Sequence, residues 1–474
     1  MKVNSEHYFV LHGGRVIKDL DELAQVLKTI DKKTFEYHVN DSKNDFSSWI
    51  QYVFKAPKLA EAIADFRYGE LHSMIKLLEN HLDELKILVV NGGSSSLKFQ
   101  LVEFSTKNVL IKGLIDAINL DRCSIVLTFN GETVTKNVSA KNHDDAVALM
   151  IKSLMENNII GDISEIKAVG HRVVHGGEIY TEPTVIDSDV LLKLKELISL
   201  APLHNPANIS CIEACAKIFT CPHVAVFDTA FHSTIPKEKF LYGLPMEYYE
   251  KHKIRKYGFH GSSHKYISGL INDYFKIEGK KNAKIIICHL GNGCSITAVK
   301  NGKSFNTTMG FTPLDGLIMG TRCGHLDPAV PLHIGTTLNL NYEQLGKIFN
   351  KQSGLLGISG YSDMRDLHNT ENEPQSKLAL DMFTDRIVHY IGAYIAEMNG
   401  VDAIVFTAGI GENAYYVRKA ILEHFTYLDL KLDGKKNEKN EFLISSKDSA
   451  ISVFVMPTNE EIQIATETKK ALKI

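Results

Sequence analysis

Three short glycine-bearing turns carry hydrogen-bond donors with few acceptors, the combination that suits a phosphate group. The first lies in Lys86 to Leu101, KILVVNGGSSSLKFQL, where the apolar run Ile87 to Val90 breaks into Asn91, Gly92, Gly93 and three serines. It then resumes in alternation through Leu97, Lys98 and Phe99. That is the pattern of strand, tight turn and strand. Glycines admit positive φ and bring backbone N–H groups against a ligand, while serine hydroxyls and Lys98 add donors. The spacing is not that of a Walker loop, and taken alone the stretch fits an ordinary hairpin with a flexible tip equally well. A second copy tips the balance. Lys284 to Val299, KIIICHLGNGCSITAV, sets Gly291, Asn292 and Gly293 between two apolar strands and runs on to the hairpin signal Asn301-Gly302. Two such hairpins about two hundred residues apart point to an internally duplicated fold. The third turn, Gly409-Ile410-Gly411-Glu412-Asn413, follows a strand over Ala403 to Ala408 and leads into a helical pattern carrying Val417, Ala420 and Ile421. There the backbone offers a nucleotide close approach at a helix N-terminus.

Charged and polar residues at element ends come next. The strand Ala168 to Val174 contains Arg172, which a buried strand has little reason to carry unless an anion meets it; a structural ion pair is the competing explanation. A strand from His223 to Phe227 delivers Asp228 at its C-terminal end, where α/β sheets place chemistry. Ser262 and His264 have the makings of a hydrolase pair, but two residues apart on a helix from about Ser262 to Phe275 they face different ways. Cys211, Cys215 and Cys221 with His204 and His223 have metal-ligand chemistry. Cys211 and Cys215 sit one helical turn apart, however, and small buried thiols are common, so packing is preferred. Asn459 can cap a final helix with Glu460 and Glu461 in its first turn, a placement the helix dipole already favours.

The elements that hold these residues fill a chain of 474 residues, too long for one core, so two or three domains are expected. A net charge of −3 with 23% charged residues gives no basic excess and argues against nucleic acid as a main partner. The opening MKVNSEHYF has neither a positive n-region nor an apolar h-region, and no apolar run approaches about 18 residues, so no membrane partner and a cytoplasmic location are expected. Seven cysteines, an odd number, do not make a disulfide framework. Residues 1–85 pattern as a small α-rich module. A hairpin over His7 to Ile17 precedes a helix capped by Asp19 with Glu22, and Asp45 can cap a second helix bearing Phe46, Trp49 and Ile50. Pro57 opens a third through Phe66, and Glu70 to Leu85 carries Leu71, Met74, Ile75, Leu78, Leu82 and Leu85 at helical spacing. This module lacks a catalytic constellation and reads as a docking or regulatory appendage for an unidentified partner. Further on, Asn205 and Pro206 start a helix through Phe219. Gly310 to Arg322 is a glycine-rich loop. A helix from about Ser376 to Asn399 buries Met382, Phe383, Ile387, Ile391 and Ile395, and the lysine-rich stretch 431–440 with Asn437 and Asn440 is a solvated surface loop.

From residue 86 onward, the strings VNGGSSSLKF, GHRVVHGG, LHNPANI, VFDTAFH, YGFHGSSH, HLGNG, FTPLDGLIMGTR, GIGEN and PTNEE, in that order, resemble the acetate kinase family of the actin-like superfamily. The resemblance implies an α/β, duplicated actin-like and ribonuclease H-like two-domain kinase fold, preceded here by the small α-rich N-terminal domain. Its first domain would span 86–228, completed by a C-terminal helix 461–474, and its second 229–460. Reversible in-line transfer of the ATP γ-phosphoryl group to acetate is the implied reaction, giving acetyl phosphate and ADP, with Mg²⁺ (or Mn²⁺) as cofactor and a homodimer as the assembly. Motif by motif, it implies that Arg172, Asp228, His260 and Arg322 are catalytic and that Arg172, Val174, Leu203, Phe259 and Pro313 receive acetate. The nucleotide would meet Lys98, His289, Leu290, Gly291, Asn292 and Gly293, then Asp363, Met364 and Arg365, and finally Gly409, Ile410, Gly411, Glu412 and Asn413. Asn91 and Glu460 would hold the metal. The family also carries a proton-acceptor role for Asp228, but acetate is already ionised at neutral pH and needs no base, so an orienting role is preferred.

Three alternatives stay open. A methylene in an apolar pocket is worth only about 1–3 kcal/mol, so a propionate or butyrate kinase is close by. A non-catalytic ATP-binding sensor or scaffold can share the fold. A sugar kinase would call for an obligatory base and a polar pocket, whereas the four pocket positions are apolar.

Overall fold

The computed structural model describes residues 7–54, 56–82, 85–104, 106–280 and 282–473. It divides into two compact units, one holding the chain up to Lys86 with Val102–Val109, the other Ile87–Leu101 with the chain from Leu110 on. In the first unit β1 (Phe9–Val10) pairs antiparallel with β2 (Val16–Ile17), and β3 (Val39–Asn40) with β4 (Lys43–Asn44). The helix Leu20–Leu27 is capped by Asp19, whose Oδ1 accepts from Glu22 N at 2.8 Å; Glu22 in return accepts from Lys18 N at 2.9 Å. On Asp45–Val53 the cap is Asn44, not Asp45 as expected. Asn44 Oδ1 accepts from Ser47 N, while the Asp45 carboxylate is taken by His38 and Lys43. Pro57–Ala64 stops before Phe66, and Leu71–Leu82 follows a single 3-10 turn. Phe35, Phe46, Trp49, Ile50, Met74 and Leu78 form this unit's core. Residues 1–6, read above for a leader, the side chain of Leu82 and residues 83 and 84 lie outside the described residues.

In the second unit two sheets repeat one plan. The first is built from β5 (Lys86–Gly92), β6 (Ser96–Glu103), β7 (Asn108–Asp116), β8 (Ser124–Phe129), β9 (Glu132–Asn137), β10 (Ile166–Val173), β11 (Thr184–Val185) and β12 (His223–Phe227). Its order is β11-β12-β10-β5-β6-β7-β8-β9. The second contains β13 (Lys284–Leu290), β14 (Cys294–Lys300), β15 (Lys303–Thr307), β16 (Ala403–Thr407) and β17 (Ser452–Val455), ordered β15-β14-β13-β16-β17. Both therefore contain a three-strand meander continued on its first strand by two strands that run parallel to each other, β10 with β12 and β16 with β17. This is the duplication that the two hairpins announced.

Burial explains why β13 and β16 are apolar along most of their length. Ile286, Cys288, Leu290, Ile404 and Phe406 face a core closed by Phe383, Ile387 and Ile391 of the helix Pro374–Met398. Ile285, Ile287, Ala403 and Val405 face the opposite way, against Ile267, Ile271 and Phe275 of the helix Gly261–Ile277. Strands covered on both faces read as continuous hydrophobic runs. Met382, expected inside, is exposed, because it lies one residue off the buried stripe of its helix. Two further expectations are corrected. Gly409–Asn413 is no open turn but part of a short helix, Ala408–Asn413, entered through a left-handed Ala408 with φ of 65°. The stretch 431–440 is no solvated loop either: it holds the helical turn Gly434–Glu438, and Asn437 is buried.

Candidate active site

Asp228 follows β12 directly, its backbone N–H bonded to Val173 O at the end of β10. Its carboxylate is 1% exposed. Oδ2 accepts from Arg172 NH2 and from the backbone N–H of His260, both at 2.9 Å. One buried oxygen thus ties a strand end to the residue that opens the helix Gly261–Ile277. His260 itself is held in the left-handed region at φ 57°, a conformation non-glycine residues keep where surrounding structure fixes it. Arg172 Nε lies 3.9 Å from Glu460 Oε2. Burial alone would lower the Arg172 pKa, but Asp228 and then Glu460 more than offset it and leave it raised. Glu460 opens the helix Glu460–Leu472, whose N-cap Asn459 accepts from Ile462 N. Burial pushes its carboxyl up to about 7; Arg172 pulls the other way, while Asp228 and Glu461 add to the rise. A partly buried acid, and an Asp228 Oδ1 without a hydrogen-bond partner among the described residues, are hard oxygen donors of the kind that fit a magnesium or manganese ion. Asn91 brings an amide oxygen near the end of β5, next to β10 in the sheet.

Arg322 presents the opposite situation. Its guanidinium is partly buried, donates to Pro313 O at 3.0 Å, and has no carboxylate partner among the described residues. Desolvation lowers its pKa. A built Cβ on Gly293 lies 3.4 Å from His260 Nε2 and 3.7 Å from Arg322 NH2, so the second hairpin, the imidazole and the guanidinium converge. Asn292 O accepts from Gly320 N, which joins that hairpin to the 311–322 loop. A partly buried cation with no carboxylate partner among the described residues, beside bare backbone, is short of an anion.

The first hairpin is held from behind. Asn208, 3% exposed on the helix Asn205–Ala216, donates to Gly92 O at 2.7 Å and accepts from Val174 N at 3.0 Å. Asn205, expected as that helix's cap, instead exchanges hydrogen bonds with the backbone of His175, and His204 takes the cap position. Val174 and Phe259 are buried in one apolar cluster and Pro313 is partly buried, whereas Leu203 is 69% exposed. Lys98 is exposed on β6 but close enough to act on the Glu460 charge.

On the nucleotide side, the His289 ring lies 4.3 Å from that of His260 and Leu290 is buried beneath it. Asp363 caps the helix Met364–Asn369 and pairs with the exposed Arg365, while Met364 is buried. Glu412 accepts from Thr458 N, and Asn413 donates to Gly409 O. Arg418, unremarked in the sequence, explains how a segment with Gly409 and Gly411 stays helical. Fully buried, it donates to Gly411 O and Glu412 O and to Asn437 and Asn440, occupying the last carbonyls of that short helix. Burial lowers its pKa to about 10.

Sequence reasoning also missed Asn208 and Ser295, whose partners are distant in the chain, and weighed His264 only as a hydrolase partner. His204, weighed only as a metal ligand, feels both arginines: desolvation and then the charges of Arg172 and Arg322 lower its pKa. Of the cysteine and histidine group, the structure assembles His171, Cys211 and Cys215, with ligand atoms within 4.8 Å, rather than His204 or Cys221. His171 Nε2 shares a hydrogen bond with His223 Nδ1, and the Cys215 thiol is raised by its bond to Cys211 and by burial in the core beneath β5.

Known proteins share this sequence and fold. A model of the acetokinase family matches residues 86–466. An acetate kinase of Clostridium botulinum is 49% identical over 396 residues, 81% of this chain and 99% of its own. One of Thermoanaerobacterium thermosaccharolyticum is 50% identical over 398 residues, with 82% and 99% covered. Among solved structures, a propionate kinase from Francisella tularensis superposes with a TM-score of 0.77 at 43% identity over 81% of this chain and 99% of its own. The acetate kinase of Porphyromonas gingivalis gives 0.78 at 39% identity, over 82% and 100%. No helix among the described residues is long and apolar enough to cross a membrane. With that breadth of similarity across the duplicated body and its site, the chain belongs to the acetokinase family and is a kinase.

Proposed function

We propose that this chain moves the γ-phosphoryl group of ATP reversibly to acetate. The observation that carries the reading is Arg322, a partly buried guanidinium without a carboxylate partner among the described residues, meeting His260 and Gly293 where an anion would lie. Phosphoryl transfer asks a protein to align donor and acceptor and to stabilise charge on the equatorial oxygens. Arg322, Arg172 and His260 supply that stabilisation, and Arg172 also receives the carboxylate of the acceptor. Asp228 orients Arg172 and the His260 backbone and needs no proton from a carboxylate nucleophile. Val174, Phe259 and Pro313 form the methyl pocket, with Leu203 at its exposed edge. Lys98, the second hairpin from His289 to Gly293, Asp363 to Arg365 and Gly409 to Asn413 contact the nucleotide. Asn91 and Glu460 hold magnesium, which when bound offsets phosphate charge. Family membership supports a homodimer in the cytoplasm.

The similarity to a propionate kinase supports a second acceptor, because an apolar pocket discriminates weakly against one added methylene. Acyl phosphate trapped as hydroxamate, with acetate, propionate and butyrate compared by kcat/KM, separates the two. Acetate leads in the expected result, and Arg322→Ala loses about 10²- to 10³-fold in kcat. A longer acid in the lead renames the acceptor; no turnover with any of them defeats the kinase reading.

A further inference from the structure

Ser295, on β14 and fully buried, lies between two imidazoles, its Oγ 2.9 Å from His260 Nδ1 and 2.7 Å from His264 Nε2. We propose that Ser295 and His264 are positioning residues that lock His260 as the tautomer carrying its proton on Nε2. A serine hydroxyl has one hydrogen to give. If His264 Nε2–H donates to Ser295 Oγ, that hydrogen goes to His260 Nδ1, and the proton of His260 sits on Nε2, facing Gly293 and Arg322. The reverse arrangement puts a proton on His264 Nδ1, a buried atom with no hydrogen-bond partner, and leaves a bare lone pair on His260 Nε2 beside the phosphate hairpin. An orphaned buried N–H is rarely tolerated. A third arrangement, with both rings donating to Ser295, strands the hydroxyl hydrogen inside a fully buried site. Burial keeps both rings neutral, and neighbouring imidazoles add to it, His289 and His264 at His260 and His232 and His289 at His264. A neutral imidazole donates through one nitrogen only, and which one is set by the bond at the other.

The catalytic consequence rests on the kinase reading, since a phosphoryl group needs a donor at Nε2; the tautomer itself does not. Wild-type protein labelled with ¹⁵N in the histidine rings, with signals assigned by their loss in His260→Gln and His264→Gln, reports the protonated nitrogen directly. We expect Nε2–H on both rings, and in Ser295→Ala a shift of His260 toward the Nδ1–H form. Hydroxamate assays should then show kcat of Ser295→Ala down about tenfold or more, with KM for ATP and acetate within about twofold. Nδ1–H on His260 in the wild type, or a Ser295→Ala variant with kcat within about twofold of wild type, overturns the proposal. Nε2–H in a wild-type protein that makes no acyl phosphate upholds the lock and defeats the kinase reading instead.

Discussion

The two glycine hairpins share a grammar and differ in why they need it. In β5 and β6 the tip is packed from behind: a Cβ on Gly92 would sit 2.5 Å from Cys211 Cβ, 3.0 Å from its sulfur and 3.3 Å from Ala207 O. In β13 and β14 a Cβ on Gly293 would make only ordinary contacts, with His260 and Arg322. The first glycine is there for the helix behind it, the second for the ligand in front. Duplication therefore preserved a backbone shape while its halves took up separate tasks, one holding the scaffold and the other meeting the reacting group.

Acid should have the largest effect, and on both halves. Burial lowers His289 on β13 to about 4, as it does His232, which bonds Phe259 O beside His260. Since the folded pKa lies below the unfolded value of about 6.5, the unfolded chain binds more protons in the window between them. Stability from these histidines is complete above pH 6.5 and is lost as pH falls toward 4, up to about 3 kcal/mol for each. Hydrogen exchange at 284–299 should thus speed up between about pH 6.5 and 5, and the first sheet should loosen with it because burial lowers His171 and His223 too; protection of 284–299 unchanged across that window would overturn this. The glycines come next. Gly92→Ala should cost about 1–3 kcal/mol in denaturant melts, and adding Cys211→Ala should not recover it, because the closest clash is with Cβ itself. Gly293→Ala should stay within about 0.5 kcal/mol of wild type while kcat falls about tenfold. Asn208→Ala sharpens the first half of the contrast: two buried backbone groups lose their partner, at about 1–3 kcal/mol, with a smaller change in activity than Gly293→Ala gives. Removal of residues 1–85 should have the smallest effect, with kcat/KM for acetate within about twofold. A folded but inactive truncation would mean that the first hairpin depends on the segment before it.

Both hairpins were legible because alternation and glycine are local signals. So were the caps at Asp19 and Asn459, and Arg172 stood out as a charge inside an apolar strand. What escaped was non-local. Asn208 meets Gly92 across 116 residues, and nothing around Asn208 distinguishes it from the neighbouring Asn205. Asn437 looked solvated among lysines because its partner Arg418 lies 19 residues earlier. The helix Ala408–Asn413 defied its glycines for the same reason, since a buried guanidinium supplies what propensity withholds. Leu203 was placed by motif alone, and no local pattern says whether an apolar residue beside a helix start is covered.

The helix Glu460–Leu472 packs on β10, β12 and the helix Gly261–Ile277, and its Thr468 fills the space a side chain on Gly170 would need. During synthesis it leaves the ribosome about three hundred residues after the strand it covers, a delay of tens of seconds at ordinary elongation rates. Until then β10 exposes apolar surface and Arg172 lacks its second acid. A chain cut anywhere before this helix therefore keeps one flank of β10 bare and loses the Glu460 carboxylate beside Arg172.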